Sequence, residues 1–394
     1  NSQFLIQTEY RQVNLDSNHI SDISFFKEKN QSSKNHFFYN YNKKIDFLDF
    51  ENGEMKLKIQ KTSNDTYLKA NKLNSPLINQ FDLLENSLNL KFSSARTSVN
   101  SELLVYEDLT REKSDRYEFI FPRIDLTKKL NNETSLDGDF TFTSNNLIKN
   151  YQTNIFEKIN TNNIIFNSNP KISKKGFYNN YEFIVKNINS DTQNSDNYKK
   201  DGNIYYSSLF QFNSSLPLMK ESAKYEKILS PKLSFKIAPE NNTKDISGNK
   251  DQIDANTIFN LDRISSTIEG GLSLAYGADY SIFNKKNSLE ILNLKLANSL
   301  RFEENNDVPK INQLGEKTSN FFTEITYNPN NTLTTSYKSS IKNNLNDINS
   351  ESFSTSLSVN NFVTTFNYLN ENNTDSKNSY LQNDTLIILT IQIG

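Results

Sequence analysis

The 394-residue chain contains no cysteine, no tryptophan and only two histidines. Without cysteine there are no disulfides, thiolate metal sites or cysteine nucleophiles, and the compartment is left open. No run of about 18 apolar residues occurs, which excludes a transmembrane helix. An excess of positive charge is lacking too. The 44 basic and 46 acidic residues are nearly balanced and dispersed, giving no reason to expect a nucleic-acid partner. Residues for catalysis are equally thin. His19 and His36 lie in separate polar contexts and read as solvent-exposed or lumen-facing. Carboxylate pairs such as Glu303 with Glu304, or Asp137 with Asp139, are frequent by chance and usually solvated. No phosphate-binding glycine loop, serine elbow or zinc spacing occurs. No residue is therefore assigned a catalytic, cofactor-binding or metal-ligating role, and the chain is not read as an enzyme.

What is present is alternation. From Gly271 to Tyr368 one pattern repeats six times: apolar and polar residues alternate for about ten positions, and the breaks are alternately short and long. Leu272, Leu274, Tyr276, Tyr280 and Ile282 alternate with Ser273, Ala275, Gly277, Asp279 and Ser281. Leu292, Leu294, Leu296, Leu300 and Phe302 alternate with Asn293, Lys295, Ala297, Ser299 and Arg301. Phe321, Ile325 and Tyr327 continue the series, then Leu333, Tyr337 and Ile341, then Phe353, Leu357 and Val359, and Phe362, Phe366 and Tyr368 close it. A period of two gives one apolar and one polar face, whereas a helix would need apolar residues three and four apart. Asn284 to Asn287, Asn328 to Asn331 and Asn360-Asn361 read as tight turns, and Glu304 to Lys317, Asn343 to Ser350 and Asn370 to Asp384 as long loops. Short turns on one edge and long loops on the other are the arrangement of an outer-membrane β-barrel.

Composition fits that reading. A 35% hydrophobic content is low for membrane helices, yet in a barrel with a wet interior only every second strand residue meets lipid. The 28 Phe and 19 Tyr are too many for a disordered chain and suit interfacial girdles. The length suits a barrel of roughly 16 to 20 strands. Asparagine, about one residue in six, reflects compositional bias, and Asn-x-Ser/Thr triplets such as Asn132 to Thr134 follow from it.

Upstream, strands are expected near Phe4 to Val13, His36 to Lys43, Met55 to Lys61, Leu88 to Phe92, Ser98 to Tyr106, Tyr117 to Phe121, Leu136 to Phe142, Tyr181 to Val185 and Leu233 to Ile237. Asn187 to Gly202 reads as a polar surface loop. Glu240 to Ile268 reads as the longest loop; carrying Ile253, Ile258, Phe259, Leu261 and Ile264, it is expected to fold back onto the barrel wall or lumen. Ile387, Leu389, Ile391 and Ile393 read as a last strand ending at Gly394.

Three segments carry a family resemblance: Ile228 to Pro239, Asn256-Thr257-Ile258-Phe259-Asn260-Leu261-Asp262-Arg263, and Glu269-Gly270-Gly271 continuing to Tyr276-Gly277. In this order they resemble the barrel domain of the LptD family of lipopolysaccharide-assembly proteins, in its α-proteobacterial form. Glu9-Tyr10-Arg11 looks like an early strand of that barrel, Phe121 to Asp125 like a proline-containing strand start, and Leu389 to Ile391 like the family's ending. The resemblance implies a translocon of the bacterial outer membrane that inserts lipopolysaccharide into the outer leaflet through a laterally opening barrel. It also implies a plug lipoprotein of the LptE type and a periplasmic bridge of the LptA type as partners. Residues 1–394 are expected to form the barrel domain, incomplete or open, with the periplasmic jelly-roll and the first barrel strands missing. A general porin or substrate receptor, and a surface β-sandwich adhesin, are the alternatives. Gly270, Gly271 and Gly277 are expected to permit close backbone approach, and Arg263 with Asp262 to anchor a loop.

Overall fold

The computed structural model describes residues 3–112, 114–196, 198, 200–239, 253–264, 269–306, 308, 310–359, 362–372 and 377–387. It is almost entirely antiparallel strand. In chain order these are β1 Gln3–Val13, β2 Ser17–Glu28, β3 Lys34–Lys44, β4 Asn52–Thr62, β5 Leu83–Ser93, β6 Thr97–Asp108, β7 Tyr117–Leu130 and β8 Gly138–Tyr151. There follow β9 Ile155–Ser168, β10 Lys171–Ile172, β11 Tyr178–Gln193, β12 Asp201–Ser215, β13 Leu218–Glu221 and β14 Tyr225–Ala238. The last are β15 Gly271–Asn284, β16 Glu290–Arg301, β17 Phe321–Asn330, β18 Leu333–Ile341, β19 Ile348–Val359, β20 Phe362–Asn372 and β21 Lys377–Ile387. One helical turn, α1, spans Tyr67–Ala70. With β10 and β13 only short hairpin arms, 19 long strands remain among the described residues, within the expected range.

The chain divides into two compact units. The first comprises Asn1–Glu133, Asp139–Ile165 and Lys186–Tyr206, and the second Thr134–Gly138, Phe166–Val185 and Ser207–Gly394. In the first unit β1 to β8 form a meander, each strand paired antiparallel with the next. In the second, β14 to β21 do the same, and β14 also pairs with β12 and the short β13.

Prolines sit where the ladder does not need their missing N–H. Pro231 falls between the part of β14 that pairs with β12 and the part that pairs with β13. Pro122 was expected near a strand start; it lies inside β7, at a bulge where the register to β8 shifts between Ile120 and Arg123. In the turns after β15 and β17 asparagines act as side-chain acceptors, whereas Asn30 and Asn194 take positive φ at 66° and 54°. Asn284 Oδ1 accepts from Lys286 N at 3.0 Å, and Asn330 Oδ1 from Thr332 N and Leu333 N at 2.9 and 3.0 Å. In the 284–289 turn the left-handed residue is Ser288.

Three loop expectations are corrected. Of Asn187 to Gly202, residues 187–193 belong to β11 and residues 201–202 to β12, so the connection is shorter than expected. An asparagine ladder holds the β11 part: Asn162 Nδ2 donates to Asn187 Oδ1 at 3.2 Å and Asn189 Nδ2 to Asn160 Oδ1 at 3.0 Å. Asn370 to Asp384 is likewise mostly strand, with Asn372 paired to Lys377 across the break. Asn328 to Asn330 belong to β17, so that turn is confined to Asn331 and Thr332. The Asn360-Asn361 turn and the expected strand positions beyond Ile387 lie outside the described residues.

The expected faces hold. In the second unit Leu272, Tyr276, Leu296 and Leu300 are exposed on one face, while Ser273, Ala275, Ala297, Ser299 and Arg301 are buried on the other. In the first unit Ile23, Phe25, Phe37, Phe119 and Phe121 are exposed, and Asp22, Ser24, His36 and Phe38 buried. Such outward apolar rows are a lipid-facing belt, and the polar faces are what a barrel turns to its lumen.

Candidate functional site

The polar face of the second unit is occupied by its own chain. Residues 253–264, with a 3-10 turn at Thr257–Phe259, lie against the inner sides of β15 and β16. Ala275 and Ala297 are small enough to admit Ile258, and around them Ile253, Ala255, Ile264 and Phe322 pack with Val308 and Leu314 from the 302–320 loop. Each large apolar side chain buried in this way contributes about 1.5–3 kcal/mol. Gly277 extends the seat. A Cβ there would overlap the Leu296 carbonyl and lie 3.1 Å from Phe259 Cζ.

A charge cluster fastens the loop. Arg263 donates from Nε and Nη2 to the two Glu269 carboxylate oxygens at 2.8 and 2.6 Å. Its remaining donors reach the Ile258 carbonyl at 3.1 Å and the Ser299 and Ser273 hydroxyls at 3.2 Å each, so one side chain ties the loop to itself and to two strands. Lys236 of β14 donates to Glu269 at 2.7 Å, and Arg301 of β16 at 3.0 Å. Arg301 also donates to the Gly270 carbonyl at 2.6 Å and the Leu314 carbonyl at 2.9 Å, joining the second long loop to the first. Gly271 has φ 97°, and a Cβ on it would stand 2.7 Å from Arg301 Nη1.

These ionic side chains are 2–4% exposed. Burial alone would push the Glu269 carboxyl up; Arg263 and Lys236, then Arg301, outweigh it and hold the group well below the usual carboxylate range. Glu269 is thus an anion under all ordinary conditions, and it neutralises cations that could not otherwise be buried.

The far side of the loop has its own ties. Asn256 Nδ2 donates to Glu324 at 2.8 Å, Lys338 lies 3.9 Å from Asp254, and Gln211 donates to the Phe259 carbonyl. Asp254 accepts from the backbone N–H groups of Thr257 and Asn256 at 2.8 and 2.9 Å, which fixes the chain entering the 3-10 turn. Of the polar series of β16, Ser299 is taken up by Arg263, Asn293 donates to Ser281 at 3.0 Å, and Lys295 lies 4.0 Å from Glu324.

The three sequence segments singled out above therefore meet at one place: the first supplies Lys236, the second Arg263, the third Glu269, Gly271, Ser273 and Gly277. The expected fold-back of the 240–268 loop is found for residues 253–264; its other residues lie outside the described ones. Arg263 anchors the loop as expected, but its partner is Glu269. Arg301 was not singled out, although it ends the polar series of β16 just before a long loop.

His36 lies on the inner face, one of the two positions expected of it, but is covered rather than wet, while His19 is on the other face. His19 is half-buried on the outward face, its ring edge-on to Tyr10 and Tyr39 at 5.6 and 5.9 Å. His36 is buried in the first unit beneath the 63–82 loop, whose Tyr67, Leu68, Leu73 and Leu77 cover Phe38 and Leu84. Ser24 shares hydrogen bonds with His36 Nδ1 and, at 2.6 Å, with the Tyr67 hydroxyl; Asp22 lies 3.3 Å from His36 Nε2. A serine, a histidine and an aspartate thus stand together, but all three are at most 1% exposed and Tyr67 closes over them. No acyl group can reach Ser24. The set ties a loop to the inner wall, as the charge cluster does in the second unit.

Set against known protein families, the chain matches the model of LptD, described as LPS transport system D, over residues 34–393. No curated protein matches it.

Proposed function

The chain belongs to the LptD family, the outer-membrane component of lipopolysaccharide transport, and we propose that the polar face of its second unit is the path of the saccharide. Lipopolysaccharide couples a charged sugar to acyl chains. Its sugar needs hydrogen-bonding groups that stay wet, and its acyl chains need an apolar surface; the two faces of a barrel wall offer both. The fastened 253–264 loop stands over that polar face and serves as a constriction that the saccharide must pass or displace. Lateral release through a seam in the barrel, a plug lipoprotein, a periplasmic bridge and the assignment of residues 1–394 as the barrel domain belong to the same proposal.

The observation that carries this reading is the convergence of Lys236, Arg263 and Glu269 on one loop over the polar face. A photo-crosslinking residue placed at Asn293 or at the adjacent, outward-facing Leu294 tests it in cells transporting lipopolysaccharide. Adducts are expected from position 293. Adducts from 294 with none from 293 would refute a route along the polar face.

A further inference from the structure

At the short-turn edge of the second unit the β13–β14 hairpin places two lysines directly opposite each other. Lys220 is the cross-strand partner of Lys227, and the next outward pair up the wall is Leu218 with Leu229. Like charges in this position repel. Neither lysine has a carboxylate within ion-pair distance among the described residues; the nearby Glu221 is taken by Lys285. Lys224 and Lys286 extend the basic edge, since the Lys285 N–H donates to the Lys224 carbonyl at 3.1 Å and so brings the two turns together. Lys224 Nζ lies 5.1 Å from the centroid of the Tyr225 ring.

The outward face continues as lipid belt. Lys227 is opposite Ile282 and Leu229 opposite Tyr280, which in turn pair with Leu292 and Leu294. Leu218, Leu229, Leu233 and Ile237 are exposed in the same direction. The lysine pair thus marks the level at which the apolar band ends, on the short-turn side, which in outer-membrane barrels is periplasmic. Two ammonium groups facing lipid at headgroup depth, below apolar side chains, match an anionic phosphate joined to acyl chains.

We propose that Lys220 and Lys227 bind the phosphate of an anionic phospholipid in the periplasmic leaflet, with its acyl chains along Leu218 and Leu229. The bound phosphate offsets a repulsion that nothing in the described chain neutralises. Lys224 and Lys286, in the two turns just beyond the pair, add positive charge to this edge. The site is separate from the loop on the polar face and does not depend on the route of the saccharide.

Native mass spectrometry of the detergent-purified chain, titrated with phosphatidylglycerol and with phosphatidylcholine of identical acyl chains, tests the site. The wild-type chain is expected to prefer phosphatidylglycerol. K220Q/K227Q should weaken that binding by about 25-fold, each lysine supplying about fivefold. K220R/K227R should keep it, and this charge-conserving variant separates loss of the site from loss of fold. Equal retention of the two lipids by the wild type, or unchanged preference in K220Q/K227Q, would overturn the proposal. So would displacement of phosphatidylglycerol by equimolar lipopolysaccharide, which would assign the lysines to the transported molecule.

Discussion

Arg263 and Glu269 form a two-pronged ion pair, with Nε and Nη2 each donating to a different carboxylate oxygen at 2.8 and 2.6 Å. Lys236 and Arg301 bond the same carboxylate, so three buried cations share it. Replacing Glu269 by glutamine keeps the shape and removes that charge. Breaking a buried pair from one side costs about 3–5 kcal/mol, and E269Q should lower the unfolding free energy in detergent by that amount. Arg263→Lys retains the charge but not the fork, and should fall between wild type and E269Q in the same denaturant titration. An unchanged midpoint in E269Q would mean that the cluster does not hold the loop.

Acid should act through the same carboxylate. Its folded pKa lies below the unfolded one, so its stabilisation is full above the unfolded value of about 4.3 and is lost as pH falls toward the folded one. Urea midpoints of wild type and E269Q are therefore expected to differ by a constant amount from pH 7 to pH 5 and to converge below about pH 4. A difference that grows on acidification would contradict the sign.

Gly277 makes a steric prediction. Its missing Cβ leaves room for the Leu296 backbone and the Phe259 ring. Gly277→Ala should destabilise by about 1–3 kcal/mol, the usual cost of overpacking. Because one of the clashes is with backbone, adding F259L should restore only part of the loss, read as the thermal midpoint of the double variant. Full restoration would assign the whole effect to the Phe259 ring.

In the first unit, Tyr67→Phe removes the hydroxyl that bonds Ser24 at 2.6 Å. Ser24 keeps its bond to His36 Nδ1, so the expected loss is that of one buried hydrogen bond, about 0.5–1.5 kcal/mol. The double variant Y67F/S24A should lose less than the sum of the single variants, since the two groups share one bond, and a double-mutant cycle measures the coupling. Strict additivity would show that the pair does not interact.

The sequence was legible in β15 and β16, where one strand face meets lipid and the other stays polar, whereas β9 and β12 were not found. Leu272 to Ile282 and Leu292 to Leu300 show the alternation cleanly, because their polar faces are made of small and hydrophilic side chains. β2 was not found, because Ile20 and Phe26 face inward to pack under the 63–82 loop while Ile23 and Phe25 face outward, which erases the period. The second half of β11 was read as a loop because its inward side chains include Ser190 and Thr192, polar yet buried. At the site, the family motif pointed to Arg263 and Glu269 separately. Their pairing with Lys236 and Arg301 depends on register, which places β14, β15 and β16 side by side and which no local pattern specifies.

The seat beneath Ile258 and Phe259 has an evolutionary consequence. Ala275, Gly277 and Ala297 leave a recess that only a loop of the right bulk can fill. A larger residue at any of the three would have to be matched by a smaller one at 258 or 259, and the reverse exchange would leave a void. Across relatives, these five positions should drift as one linked set, while the outward leucines of the same strands exchange freely among apolar residues.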